Sequence, residues 1–174
     1  MRWSEQEMKY AVVLSSKTGN TAILAEKIKE ILSAHECSYF GNADEAPSDV
    51  DIIFVGFWTD KGTCDEGIMN YLSRLENKKV FLFGTAGFGG GSAYFEQILE
   101  RVKKNISKTN TIVDTFMCQG KMPISIRKRY EAILQQNPED KKMIKMIENF
   151  DNALLHPNED DLAHLATKLL EVLK

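Results

Sequence analysis

The feature that most constrains this chain is a short apolar run that leads straight into a cluster of small polar residues around one glycine. Tyr10-Ala11-Val12-Val13-Leu14 is a short, continuous apolar run, as a strand covered on both faces requires. Ser16-Lys17-Thr18-Gly19-Asn20-Thr21 follows at once, and then Leu24, Ile28, Ile31 and Leu32 repeat at helical spacing. A phosphate needs several donors in one concave place. A strand-to-helix turn supplies backbone N–H groups and the positive end of a helix dipole. Ser16, Thr18 and Thr21 add hydroxyls, Asn20 adds an amide, and Gly19 lets the backbone come close. These residue types also cap helices, but a cap needs only one of them. Four donors around one glycine point to phosphate. No Gly-Lys-Ser/Thr follows, so this is not a Walker-type loop. Lys17 either offsets part of the phosphate charge or points into solvent.

Strand-like and helix-like segments alternate over the rest of the chain, which predicts a parallel sheet with helices on both faces. Cys37 to Phe40, Ile52 to Trp58, Val80 to Phe83 and Thr111 to Met117 read as the second to fifth strands. Tyr94, Phe95, Ile98, Leu99 and Val102 form one side of the helix after the fourth. In the last helix, Asn158 is the expected N-cap and Glu159, Asp160 and Asp161 suit the dipole. Leu162, Leu165, Leu169 and Leu173 are its apolar stripe. A five-stranded domain does not need residues 122–156, which read as a helical insertion. One helix carries Ile126, Tyr130, Ile133 and Leu134. A second starts near Asn137-Pro138, with Met143, Met146, Ile147, Phe150 and Leu154 as its stripe. The 174 residues are expected to form one domain.

Composition excludes several classes. The net charge of −3 and the lack of a dense basic stripe argue against nucleic acid. No apolar run approaches the roughly 20 residues of a membrane span. Residues Met1 to Glu7 lack the apolar stretch of a secretory signal, so a cytoplasmic protein is expected. Cys37, Cys64 and Cys118, like the three histidines, are too scattered for a metal site.

The hexapeptide Ser16 to Thr21 resembles the flavodoxin phosphate loop, (Ser/Thr)-x-Thr-Gly-Asn-Thr, and the order of elements over residues 8–118 and 158–174 is similar to that family. The resemblance implies a doubly wound flavodoxin-like sheet in the order 2-1-3-4-5. It also implies FMN outside the carboxyl ends of the strands, its phosphate held by Ser16, Thr18, Asn20 and Thr21. Two further loops resemble those that hold the isoalloxazine ring. The first runs from Trp58 through Thr59, Asp60, Lys61 and Gly62 to Asp65. Trp58 either covers the ring or turns into a helix layer. The second runs from Gly84 through Thr85, Ala86, Gly87, Phe88 and Gly89 to Tyr94. Its glycines at positions 87, 89, 90 and 91 let backbone groups approach a flat ligand. Phe88 stands in for the family's stacking tyrosine, while Tyr94 and Phe95 either face the ring or pack as helix core. Cys118 to Pro123 ends at the same sheet edge. Cys64 and Cys118 either approach the flavin or are small buried hydrophobes.

The resemblance implies an electron carrier working between redox partner proteins, with Asp60, Asp65 and Glu66 lowering the flavin potential and Lys61 opposing them. An FMN-dependent oxidoreductase, either a quinone reductase or a flavodoxin-like oxidase, is the alternative that the insertion motivates. A third reading is an interaction module whose loop holds another phosphate ligand or none. Arg127, Lys128 and Arg129 in the insertion either steer an acidic partner or form a solvated helix face.

Overall fold

The computed structural model describes residues 6–45, 49–89 and 91–174. Gly90, expected in the second ring loop, and residues Met1 to Glu5 lie outside them. The strands are β1 (Lys9–Leu14), β2 (Glu36–Gly41), β3 (Ile52–Asp60), β4 (Thr63–Cys64), β5 (Lys79–Ala86) and β6 (Thr111–Gln119). The helices are α1 (Asn20–Ile31), α2 (Glu66–Arg74), α3 (Ser92–Lys103), α4 (Ile124–Gln136), α5 (Lys141–Ala153) and α6 (Glu159–Val172). Five strands pair in parallel in the order β2-β1-β3-β5-β6. This is the expected 2-1-3-4-5 order once the two-residue β4, antiparallel to β3, is set aside.

The continuous apolar runs are strands because each residue has a helix layer above or below it. Tyr10, Val12, Ile52, Phe54, Phe81 and Phe83 pack with Leu24, Ile28, Leu165 and Leu169 of α1 and α6. Val13, Ile53, Val55, Phe57, Val80 and Leu82 pack with Ile68, Leu72, Ile98 and Val102 of α2 and α3. Alternate residues of one strand thus serve opposite cores. Near the carboxyl edge the packing is reciprocal. Gly56 pairs with Phe83 and Phe57 with Gly84 across β3 and β5. A Cβ on Gly56 would sit 2.3 Å from the Phe83 ring, and one on Gly84 would sit 2.3 Å from the Phe57 ring. Each glycine is the floor on which the neighbouring strand's phenylalanine lies.

Helix ends follow local chemistry. Asn158 and Asp161 form a reciprocal capping box at α6, as the sequence predicts for Asn158. The second insertion helix starts later than Asn137-Pro138. Asn137 closes α4, and the Asp140 carboxylate caps α5 by accepting from the Lys142 and Met143 N–H groups. Met143 and Phe150 of its stripe are buried, but Leu154 is exposed beyond the helix end. Arg127 is not a free cation. Its guanidinium grips Asp151 of α5 at 2.8 and 3.1 Å and also pairs with Glu131, which ties α4 to α5. Among the described residues, no helix is long and apolar enough to cross a membrane.

The Phe–Gly reciprocity has a measurable consequence. Gly56→Ala should destabilise the domain by about 1–3 kcal/mol, the usual cost of overpacking a filled core. Urea unfolding should show a coupling between Gly56→Ala and Phe83→Leu, because the smaller side chain relieves the clash. Purely additive effects would mean that the ring does not rest on Gly56.

Candidate functional site

The four loops at the carboxyl edge of the sheet meet around one cavity of about 290 Å³. The first is the strand-to-helix turn before α1. Gly19 adopts φ 88°, a left-handed conformation natural to glycine, and turns the chain into the helix. The Ser16 hydroxyl accepts from the Ala22 N–H at 3.3 Å. Among the described residues, no group accepts from the backbone N–H groups of Lys17, Thr18, Gly19, Asn20 and Thr21. Consecutive free N–H groups at a helix N-terminus form an anion-binding concavity.

Two side chains of this turn work inward. Thr21 is fully buried; its hydroxyl contacts the Phe57 carbonyl at 3.0 Å and the Thr85 hydroxyl at 3.2 Å. The Asn20 amide donates to the Thr18 hydroxyl and to the Lys121 carbonyl, each at 2.8 Å. Gly120 leaves room for it, since a Cβ there would meet the Asn20 amide nitrogen at 2.4 Å. The Asn20 Oδ1 atom is buried without a partner. Lys17, Thr18 and Asn20 line the cavity, while Ser16 lines a polar groove next to it.

The second loop is a tight hairpin. Lys61 and Gly62 both have positive φ and join β3 to β4, the signature of a two-residue type I′ turn. Arg101 of α3 donates to the Gly62 carbonyl at 3.1 Å and holds the hairpin down. Trp58 is half-buried with its ring on the cavity, and its indole N–H donates to the Ser15 hydroxyl at 3.2 Å. The Lys17 ammonium lies 4.9 Å from the centre of that ring, a cation–π contact. Phe57, not Trp58, takes the place in the helix-facing core. Thr59 and Gly62 also line the cavity, and the Thr59 hydroxyl is buried without a partner. Asp60 pairs with Thr63 in the hairpin, outside the lining.

Thr85, Ala86, Gly87, Phe88 and Tyr94 supply the third wall, with Gly89 just beyond in an adjoining groove. Asn149 of α5 clamps this loop. It donates to the Gly87 carbonyl at 3.0 Å and accepts from the Gly89 N–H at 3.3 Å and from Gln119 at 3.1 Å. Lys121, Met122, Pro123 and Ile126 close the fourth side, so the insertion helps to build the cavity. The Cys118 to Pro123 segment marked this edge in the sequence. Nothing local marked Asn149 or Ile126, because both arrive through tertiary packing.

Charge departs from expectation. The ionisable groups on the lining are Lys17, Lys61, Lys121 and Tyr94, with no carboxylate among them. Asp65 is instead buried as the N-cap of α2, accepting from the Ile68 N–H. Burial raises its pKa, while the Ser15 hydroxyl and nearby backbone N–H groups pull it down. Cys64 and Cys118 are buried in the two cores and off the lining. Burial pushes the Cys64 thiol up to about 11 and raises Cys118 as well. That leaves both protonated at neutral pH, as small hydrophobes.

Residues 11–169 match the Flavodoxin domain family. The flavodoxin-like domain-containing protein BilS of Clostridium symbiosum is 39% identical over 173 aligned residues, covering 90% of this chain and 91% of that protein. Oxidised Flavodoxin 1 from Bacillus cereus shares the fold with a TM-score of 0.56 at 14% identity, over 95% of this chain and 97% of its own. A flavoprotein from Lactobacillus acidophilus, solved in complex with FMN, superposes with a TM-score of 0.51 at 14% identity, over 63% of this chain and 93% of its own.

Asp65 links the stability of the fold to pH. A buried carboxyl with a raised pKa favours the protonated form in the fold, so it contributes stability below its unfolded pKa and loses it as pH rises through the folded value. Asp65→Asn keeps a good N-cap and removes the buried charge. Its stability relative to the native chain should therefore grow between pH 4 and pH 7. Parallel urea midpoints across that range would show that folding does not raise the Asp65 pKa.

Proposed function

We propose that this chain, which belongs to the flavodoxin family, binds FMN noncovalently in the carboxyl-edge cavity and passes electrons between redox partner proteins. The observation that carries the reading is the run of five backbone N–H groups, Lys17 to Thr21, that have no acceptor among the described residues, in a turn whose Lys17, Thr18 and Asn20 line a cavity bounded by Trp58 and Tyr94. The chemistry of the donor set fits the cofactor. Backbone N–H groups and the Thr18 hydroxyl suit a terminal phosphate dianion, helped by the dipole of α1. The unpartnered Thr59 hydroxyl suits the polar edge of a flat ring. The FMN-bound Lactobacillus acidophilus flavoprotein supports the same assignment.

FMN, when bound, supplies transfer of one or two electrons. The protein's part is to hold it, orient it and set the charge around it. The phosphate turn anchors one end. Trp58, held by Ser15 and faced by Lys17, limits how the ring lies, and Arg101 fixes the hairpin beside it. Lys17, Lys61 and Lys121 favour a cofactor that gains negative charge on reduction, so they raise its affinity for electrons. One observation favours the alternative of an FMN-dependent oxidoreductase: Met122, Pro123 and Ile126 wall the cavity where a simple carrier needs no cover. Oxidation of NADH with a quinone by the purified protein alone would select that alternative.

Visible-spectrum titration tests the assignment. FMN should bind at least about ten-fold more tightly than riboflavin, because a hydrogen bond to a charged group is worth roughly 1.5–3 kcal/mol. Thr18→Ala should weaken FMN by about that amount and leave riboflavin unchanged. Equal affinities for the two flavins would remove the phosphate from this turn.

A further inference from the structure

Beside the cofactor cavity lies a second, open groove of about 570 Å³, lined by Phe88, Gly89, Lys141, Lys142, Lys145, Met146 and Asn149. Phe88 borders both cavities and is 40% exposed. Lys141, Lys142 and Lys145 are exposed, and among the described residues none of them pairs with a carboxylate. The groove lining carries no acid of its own. Across Phe88, the cofactor cavity adds Lys17, Lys61 and Lys121. Six lysines therefore face one edge of a chain whose net charge is −3. Lys141 and Lys142 stand in the first turn of α5, where cations meet the positive end of the helix dipole and the compensating acid is the N-cap Asp140.

We propose that this groove is the docking surface for an acidic redox protein, whose carboxylates meet Lys141, Lys142 and Lys145 while an apolar contact forms on Phe88 and Met146. Charge complementarity commits the occupant, and continuity through Phe88 brings it to the cofactor wall. The proposal deepens the electron-transfer reading and rests on it. It replaces Arg127, which Asp151 and Glu131 already hold, as the basic anchor. Asn149 binds the second ring loop from the same helix, so the docking element is tied directly to the wall of the cavity.

Cytochrome c and its succinylated form test this, because they carry the same haem with opposite surface charge. The FMN-loaded protein is reduced with dithionite and the excess is removed. Each ferric haem takes one electron and becomes ferrous, so one fully reduced FMN serves two haems and releases its protons to solvent. Succinylated cytochrome c should react faster than the native form at low ionic strength, at a rate that falls with salt. Lys142→Glu with Lys145→Glu should slow that reaction on the order of ten-fold, reverse the preference and leave FMN affinity unchanged, with the difference gone at high salt. The proposal is overturned if the double variant reacts as the parent does, or if the lysines act only in binding phosphatidylserine vesicles. FMN titration and flavin-free association, followed by calorimetry, separate the two readings. If FMN does not bind but succinylated cytochrome c still associates through these lysines, the flavin assignment falls and the docking surface stands. If FMN binds and neither association nor rate depends on them, only the docking surface falls.

Discussion

The buried hydroxyl of Thr21 holds together the loops from which the cavity is made. It contacts the Phe57 carbonyl at the end of β3 and the Thr85 hydroxyl at the end of β5, with no access to solvent. Asn20 adds the loop after β6 through the Lys121 carbonyl. Two adjacent residues at the start of α1 thus reach β3, β5 and the segment after β6. Buried polar contacts of this kind are costly to break, since each freed group would lose its partner without gaining water. Directly below, the rings of Phe57 and Phe83 lie on Gly84 and Gly56. That packing fixes how β3 and β5 align, and hence where Trp58 and Thr85 end beside each other.

This arrangement frees the backbone. With Asn20 and Thr21 directed inward, the N–H groups of Lys17 to Thr21 are left without an acceptor among the described residues. A turn rich in Ser, Thr and Asn therefore divides its labour. Some side chains build the scaffold, and the main chain presents the donors. An anion site made from backbone is preorganised, because its donors are fixed by the fold rather than by rotamers that must be frozen on binding.

The sheet order and the glycine-bearing turn from β1 into α1 were legible in the sequence because both are written locally. A strand covered on two faces must be continuously apolar, and a strand-to-helix turn that approaches an anion must use glycine and short polar residues. The same locality made Asn158 readable as a cap. What was not legible depends on residues far apart in the chain. Asn149 reaches Gly87 across 62 residues, and Asn20 reaches Lys121 across 101. Neither leaves a period or a motif. The start of α5 was misplaced because Pro138 suits a first turn, whereas the Asp140 carboxylate supplies the cap. Asp65 looked like a charge beside the cofactor, but its place as the N-cap of α2 turns it into the core.

Net charge is a poor guide to the field at one edge of a protein. Helices α5 and α6 make the point within one chain. At α6, Glu159, Asp160 and Asp161 fill the first turn and a capping box completes it, so the helix start obeys its dipole. At α5 the first turn holds Lys141 and Lys142, with Lys145 one turn on, and only Asp140 satisfies the N–H groups. A charge of the wrong sign at a helix end costs about 0.3–1 kcal/mol when exposed. That is small for one residue, and for the two in this first turn the Asp140 carboxylate at the N-cap offsets part of it. The acids of α6 show that the favourable solution was within reach of this fold. The basic start of α5 and the lysines on the cavity lining lie on either side of Phe88, so their fields add where a partner and a cofactor would meet. A local positive field of this kind acts over about a Debye length, roughly 8–10 Å at ordinary ionic strength. It reaches an approaching surface that the excess of acidic residues elsewhere on the chain, being screened, does not.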